Sequence, residues 1–386
     1  MKLLPYAQQH ISTEDVDAVS RALQQPAITR GSLVKEFEKC IADYCGATYA
    51  VAFNSGTSAL MAAYAAVDAG PFDRVLSTPN TFVATVGAAV QRSATPVFID
   101  TDPATGNMDL EQVTDNLDHP TSRGKTIVAP VHFTGNPVDV AAIEAQIKNP
   151  DTLIIEDAAH AIGSLYPNGK KVGCCEHSAI TIFSFHPAKT ITTGEGGMAL
   201  TNDPALYHRL CLYRNNGMER DPKKLKGEAT PWLYEVVELS GNFNFTELQA
   251  ALGLSQMKRI DQFILKRQSL LNTYATLLEP LEHVKLLTPA NNPAIAPHLC
   301  VVSIDFEHLK KNRADVMQRL LDQGITTQVH YIPVYRHPTF VAQMGDLTTY
   351  FPKTELYYSQ ALTLPLYYAL EEADVERVVA ALKDVL

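Results

Sequence analysis

The chain has 386 residues, of which 46% are hydrophobic and 19% charged, and its net charge is −10. That length exceeds one ordinary core, so two or three domains are expected. The acidic balance, without a basic cluster or zinc-finger spacing, argues against a nucleic-acid binder and leaves small anionic molecules as partners. The first residues, Met-Lys-Leu-Leu-Pro-Tyr, are not a signal peptide, and no apolar run reaches the length of a membrane span. Six cysteines (Cys40, Cys45, Cys174, Cys175, Cys211, Cys300) show neither a C-x-x-C pair nor metal spacing, as expected of reduced thiols in a cytoplasmic protein.

In chain order, "TYAVAF" (48–53) reads as a strand and "TSALMAAYAAVDA" as a helix. "RVLST" is a strand before the helical "TFVATVGAAVQR". "TPVFID", "KTIVAP", "DTLIIED" and "TIFSF" read as further buried strands. Strand–helix alternation predicts an α/β fold with parallel strands, and the near-continuous apolar runs fit strands covered on both faces. Residues 245–281 have helical periodicity, with a break expected around Gly253, and lead from a large domain (1–257) into a smaller α+β domain (258–386). That second domain is predicted to hold a strand near "HLCVVSIDF", a helix near "RADVMQRLLDQG", a strand "ITTQVHYI" and a last helix "EADVERVVAALKDVL". The Pro-rich residues 287–298 between them form a loop.

In open parallel sheets, ligands bind beyond the carboxyl ends of the strands. After "AVAF" come Asn54-Ser55-Gly56-Thr57-Ser58, which offer backbone N–H groups, hydroxyls and a helix dipole to a phosphate. The same residues also fit an ordinary helix N-cap. After "TLII" come Glu156-Asp157-Ala158-Ala159-His160, where Asp157 is either a helix-start acid or a carboxylate that keeps a ring nitrogen protonated. After "ITIFSF" comes Lys189, followed by Gly194, Gly196 and Gly197. A desolvated lysine is a free amine near neutral pH, as imine formation requires, although a lysine in a loop also snorkels to water. A phosphate cradle, a carboxylate for a ring nitrogen and an amine for an aldehyde are the three handles of pyridoxal phosphate. Phe82, in "TPNTFVAT", supplies a stacking face for its ring, or else belongs to the core.

The chain resembles the pyridoxal-phosphate sugar aminotransferases of the DegT/StrS type. The similarity lies in "NSGTSAL", "TPNTFVAT", "PVFIDTD", "IIEDAAHAIGS", "FSFHPAKTITTGEGG", "LYRNNGM", "TELQAALGLSQ" and "QVHYIPVY", which run nearly end to end. The Ser-Phe-His-x-x-Lys form and "QVHYIPVY" are most similar to the pseudaminic-acid-pathway branch of that family. The resemblance implies an aspartate aminotransferase-like (fold type I) large domain with a mostly parallel sheet. It further implies glutamate-dependent amination, at C4, of a UDP-linked 4-keto-6-deoxy-N-acetylhexosamine. The alternative is a different UDP-, dTDP- or GDP-linked keto-sugar.

By position, the resemblance makes Lys189 the cofactor's anchor and proton shuttle, Asp157 the partner of the pyridine nitrogen, and His160 a neighbour of the ring. It makes Phe82 the stacking side chain, and gives the phosphate to Gly56, Thr57 and Ser184. It places Tyr6, His330 and Tyr331 at the substrate. Asn242 resembles the asparagine that reaches the phosphate of the neighbouring subunit, so a homodimer with shared sites is implied. Where the family carries an arginine before the "TELQ" helix, this chain has Asn244, and Arg214 or Lys170 are the candidate replacements. The stretch 228–240, with the sole tryptophan, Trp232, has no counterpart in the pattern.

Overall fold

The computed structural model describes residues 2–117, 124–228 and 230–386. A seven-stranded sheet has the order β1-β7-β6-β5-β4-β2-β3. Its strands are β1 (Tyr49–Phe53), β2 (Arg74–Ser77), β3 (Thr95–Phe98), β4 (Thr126–Ala129), β5 (Thr152–Asp157), β6 (Ile180–Ser184) and β7 (Gly197–Thr201). The run from β6 to β3 is parallel, and β7 lies antiparallel between β6 and β1. A two-residue ribbon pairs β8 (Met218–Glu219) with β9 (Glu235–Val236). A smaller antiparallel sheet joins β10 (Val284–Leu286), β11 (Cys300–Ile304) and β12 (Ala361–Leu364).

The helices before and around the large sheet are α1 (Thr13–Leu23), α2 (Ser32–Cys45), α3 (Gly56–Ala66), α4 (Ala84–Val90), α5 (Leu110–Leu117), α6 (Val140–Glu144) and α7 (Pro204–Arg214). Those that follow are α8 (Glu247–Met257), α9 (Ile260–Leu278), α10 (Arg313–Asp322), α11 (Pro338–Met344), α12 (Pro352–Gln360) and α13 (Glu372–Val385). None of them is long and apolar enough to cross a membrane.

Burial follows the sequence pattern. Strands β2 and β4 are buried along their whole length, because helices cover both faces. Helix α3 is apolar nearly all round, and Ala59, Ala62, Ala63 and Tyr64 are fully enclosed between the sheet and its neighbours. Around the small sheet, α9, α10 and α13 pack Leu270, Tyr274, Leu320 and Leu382 against Val302 and Leu362, forming a second core.

Three expectations change. The long C-terminal helical run passes through Gly253 unbroken and divides at Lys258–Arg259, where Arg259 leaves helical geometry at φ −122, ψ 8. "ITTQVHYI" is not a strand. It makes only isolated bridges, Leu4 to Ile325 and Gln328 to Thr363, since the chain here turns to send His330 and Tyr331 into a cavity. Strand β7, which the Thr/Gly-rich composition concealed, is the antiparallel member of the large sheet. All six cysteines are free thiols.

Candidate active site

The ends of β1, β2, β5 and β6, together with the start of antiparallel β7, converge on one cavity of about 740 Å³. Ten of the residues proposed from sequence line it: Tyr6, Gly56, Thr57, Phe82, Asp157, His160, Ser184, Lys189, His330 and Tyr331.

Each is placed by local chemistry. Ser55 caps α3: its hydroxyl accepts the Ser58 N–H at 3.1 Å, and its own N–H donates to Ser58 Oγ at 3.1 Å. Ser58 in turn donates to Asn54 Oδ1 at 2.7 Å. This box fixes the turn and leaves Gly56 and Thr57 on the first turn of the helix, where backbone N–H groups have no intrahelical partner. Gly56 is needed for closeness. A Cβ there would lie 3.0 Å from the Cβ of Ser184 on β6, and one on Gly197 would fall 2.3 Å from the Ser55 carbonyl oxygen. The α3 N-terminus, Ser184 and the glycine turn thus form a cradle that side chains would fill.

Asp157 ends β5 and is buried. One carboxylate oxygen accepts the Thr85 hydroxyl at 2.6 Å, and the other accepts the Ala159 N–H at 3.1 Å. Thr85 is steadied by Thr81, 2.7 Å away. Lys189 follows β6 on a turn held by its N–H to the His186 carbonyl at 2.9 Å and by Thr193 N–H to the Phe185 carbonyl at 3.1 Å. Gly194, at φ +80, lets that turn close. Burial draws the Lys189 amine down to about 8, although the nearby Asp157 carboxylate pulls the other way. On the order of a tenth of it is then free amine at pH 7, far more than for an ordinary lysine.

The opposite wall is histidine-rich and dry. Burial, reinforced by Lys189 and His330, holds His160 well below its usual range, and burial with Lys189 holds His330 down at about 3. Both rings are neutral. Tyr331 shares a hydrogen bond with His160 Nε2 at 3.0 Å, and its N–H donates to Asn80 Oδ1 at 2.9 Å. His330 Nδ1 lies 2.8 Å from Thr363 Oγ1, and the Tyr6 ring sits 5.5 Å from that of His330. Phe82 is 56% exposed at the mouth, where a ring has one face free.

Three candidates lie elsewhere. Arg214 pairs with Glu38, which also accepts the Ala52 N–H, so its charge is already committed; it lines a separate cavity beside Tyr49 and Tyr207. Lys170 is exposed and pairs with Glu176 at 2.5 Å. Asn242 is exposed, outside the Lys189 cavity, and accepts from Asn244 Nδ2 at 2.7 Å. Conversely, Thr85, Thr81, Glu195 and His298 belong to the site and were not foreseen. Thr85 hides inside an apolar helix pattern, and His298 on the Pro-rich loop.

The donor set fits pyridoxal phosphate: a neutral-range amine, a buried carboxylate, an aromatic face and a glycine cradle with a helix N-terminus. Residues 9–383 match the DegT/DnrJ/EryC1/StrS aminotransferase family. The spore coat polysaccharide biosynthesis protein SpsC of Bacillus subtilis is 35% identical, over 99% of this chain and 97% of its own. The UDP-4-amino-4,6-dideoxy-N-acetyl-beta-L-altrosamine transaminase of Campylobacter jejuni (serotype O:2) is 31% identical, over 100% of this chain and 98% of its own. The solved structure of Helicobacter pylori PseC, an aminotransferase involved in the biosynthesis of pseudoaminic acid, superposes with a TM-score of 0.89. It is 28% identical and the match covers 100% of this chain and 99% of that one. The chain belongs to the DegT/DnrJ/EryC1/StrS aminotransferase family and is a sugar aminotransferase that uses pyridoxal phosphate.

Proposed function

We propose that the enzyme transfers the amino group of L-glutamate to C4 of a UDP-linked 4-keto-6-deoxy-N-acetylhexosamine, giving UDP-4-amino-4,6-dideoxy-N-acetyl-β-L-altrosamine. The observation that carries this is full-length similarity to the Campylobacter transaminase, joined to a cavity in which Lys189 and Asp157 face the same space. The reaction takes place in the cytoplasm, where both substrates are dissolved.

Bound pyridoxal phosphate supplies an aldehyde for an amine and a ring that withdraws electrons from the reacting carbon. The chain's own residues do the rest. Lys189 Nζ anchors the cofactor and then carries the proton that leaves the donor's α-carbon, a role that suits an amine near pKa 8. Asp157, oriented by Thr85 and the Ala159 N–H, holds negative charge at the ring nitrogen. Gly56, Thr57 and Ser184 receive the phosphate, and Phe82 covers the ring. Neutral His160, His330 and Tyr331 keep water from the reacting atoms and present hydrogen-bonding edges to the sugar. Glutamate leaves as 2-oxoglutarate at the end of the first half of the reaction; in the second half the same proton movements run in reverse, and the keto-sugar leaves as an amine.

A homodimer completes the site, with Asn242 of the partner subunit reaching the phosphate. Asn242 is exposed, and in the chain flanking β9 Trp232 is 76% and Leu239 92% exposed, side chains that a second copy would cover. Sedimentation of the holoprotein tests this: a monomer at micromolar concentration contradicts it.

The higher identity to SpsC favours a second reading, in which another nucleotide-linked keto-sugar is the acceptor. A glutamate-dependent amination assay on UDP-, dTDP- and GDP-linked 4-keto-6-deoxy sugars separates the two. Selective amination of the UDP-linked N-acetyl acceptor supports the first, and selectivity for any other overturns it.

A further inference from the structure

His298 lines the Lys189 cavity from the loop that precedes β11, and only 3% of its surface is exposed. Its imidazole lies 4.4 Å from that of His160, centroid to centroid, tilted by 50°. The Nδ1 atoms of both rings are buried without a hydrogen-bond partner among the described residues. On its other side His160 meets Tyr331 and the ring of Phe133, 5.8 Å away. His160 is therefore located by one hydrogen bond and by ring packing, and His298 supplies the nearest ring.

His298 is itself clamped. Its N–H donates to the Thr134 carbonyl at 2.8 Å, and its carbonyl accepts Arg267 Nη1 at 3.1 Å. Arg267 comes from α9, is 2% exposed, and donates also to the Leu366 carbonyl at 2.9 Å. It borders a second, small chamber that Lys189 also lines. One buried guanidinium thus ties the His298 loop to α9 and to the segment after β12. Burial, with imidazole and cationic neighbours adding to it, keeps His298 neutral, so the two tilted, packed rings do not repel.

We propose that His298 is a positioning residue for amino transfer: it acts through His160, whose ring it holds in place by packing, and Arg267 holds His298 from behind. The role rests on Lys189, Asp157 and His160 forming the cofactor site. A ring displaced by even a fraction of an ångström beside the reacting atoms costs rate more than binding.

The test uses the holoprotein with His298→Ala and His298→Phe. Three quantities are read: kcat and KM for glutamate in the first half-reaction, the pH midpoint of the visible absorption without substrate, and the melting temperature. In His298→Ala, kcat falls by about tenfold to a hundredfold while KM stays nearly constant, and the pH midpoint moves. In His298→Phe, which keeps a ring without the nitrogens, kcat returns to within about threefold of wild type. An alanine variant with unchanged kcat and midpoint overturns the proposal. So does a phenylalanine variant that folds, by its melting temperature, yet is severely impaired; this arm decides the matter if the alanine variant does not fold. Lys189→Ala separates the two layers, since turnover there would refute the site itself whatever His298 does.

Discussion

Glu156 and Asp157 are consecutive acids at the end of β5, and strand alternation sends them to opposite faces of the sheet. Glu156 enters a closed polar network. It accepts the Thr181 hydroxyl at 2.7 Å, those of Ser178 and Tyr166, and His132 Nε2 at 2.7 Å. His132 Nδ1 accepts the Val138 N–H at 2.9 Å, so its proton is on Nε2 and is donated to Glu156. Burial alone would raise the Glu156 pKa, but the bonds from His132, Ser178 and Tyr166 outweigh it and the carboxyl is held below its usual range. Asp157 receives two hydrogen bonds and faces the Lys189 cavity. One acid is saturated by the fold and the other keeps accepting capacity for something that enters. Motif and burial do not tell them apart; the partners do.

Substitutions should therefore split the pair. The largest effect lies just beyond it: Lys189→Ala removes anchor and base together, and turnover and visible colour are both expected to vanish. Next, Asp157→Asn should leave the melting temperature near wild type while the half-reaction with glutamate slows by about a hundredfold to a thousandfold; near-normal turnover contradicts the role of Asp157. Glu156→Gln should give the reverse profile. Its amide NH₂ faces donors, so denaturant unfolding is expected to show a loss on the order of 3 kcal/mol, with activity per folded molecule nearly intact. A smaller effect belongs to Thr85→Val, which removes one donor from Asp157 and should slow the half-reaction by about tenfold, in line with a lost hydrogen bond to a charged group. Last, capture of pyridoxal phosphate by the apoprotein should speed up with pH and level off above about 8, since the amine reacts only when neutral. A profile that stays flat through that pH contradicts a depressed lysine.

The strand-end side of the cavity was legible because its residues sit directly at or beyond the ends of buried strands: Gly56 and Thr57 after β1, Asp157 at the end of β5, Lys189 after β6. Short apolar runs name the strands, and the topology of parallel sheets points to their ends. The far wall was not legible. His298 and Arg267 meet Lys189 only through packing of α9 and the loop before β11 onto the large sheet, contacts with no local pattern. Thr85 lies in an alanine-rich helix, where its hydroxyl looks like one more small side chain. Residues 325–332 alternate like a strand, yet the stretch makes only isolated bridges, and the consecutive residues Gln328, Val329, His330, Tyr331 and Ile332 all line the cavity as the chain crosses it. Arg214 shows the converse error, a cation at a plausible position whose charge Glu38 has already taken.

The central claim is that Lys189 is the residue bonded to the cofactor, and the most direct measurement is chemical. The purified holoprotein is reduced with borohydride, digested, and searched by mass spectrometry for the lysine that carries the reduced pyridoxyl phosphate. The expected result is one stoichiometric adduct, on the peptide containing Lys189, with loss of the yellow colour. An adduct on another lysine, or none from a protein that still transfers amino groups, would contradict the account.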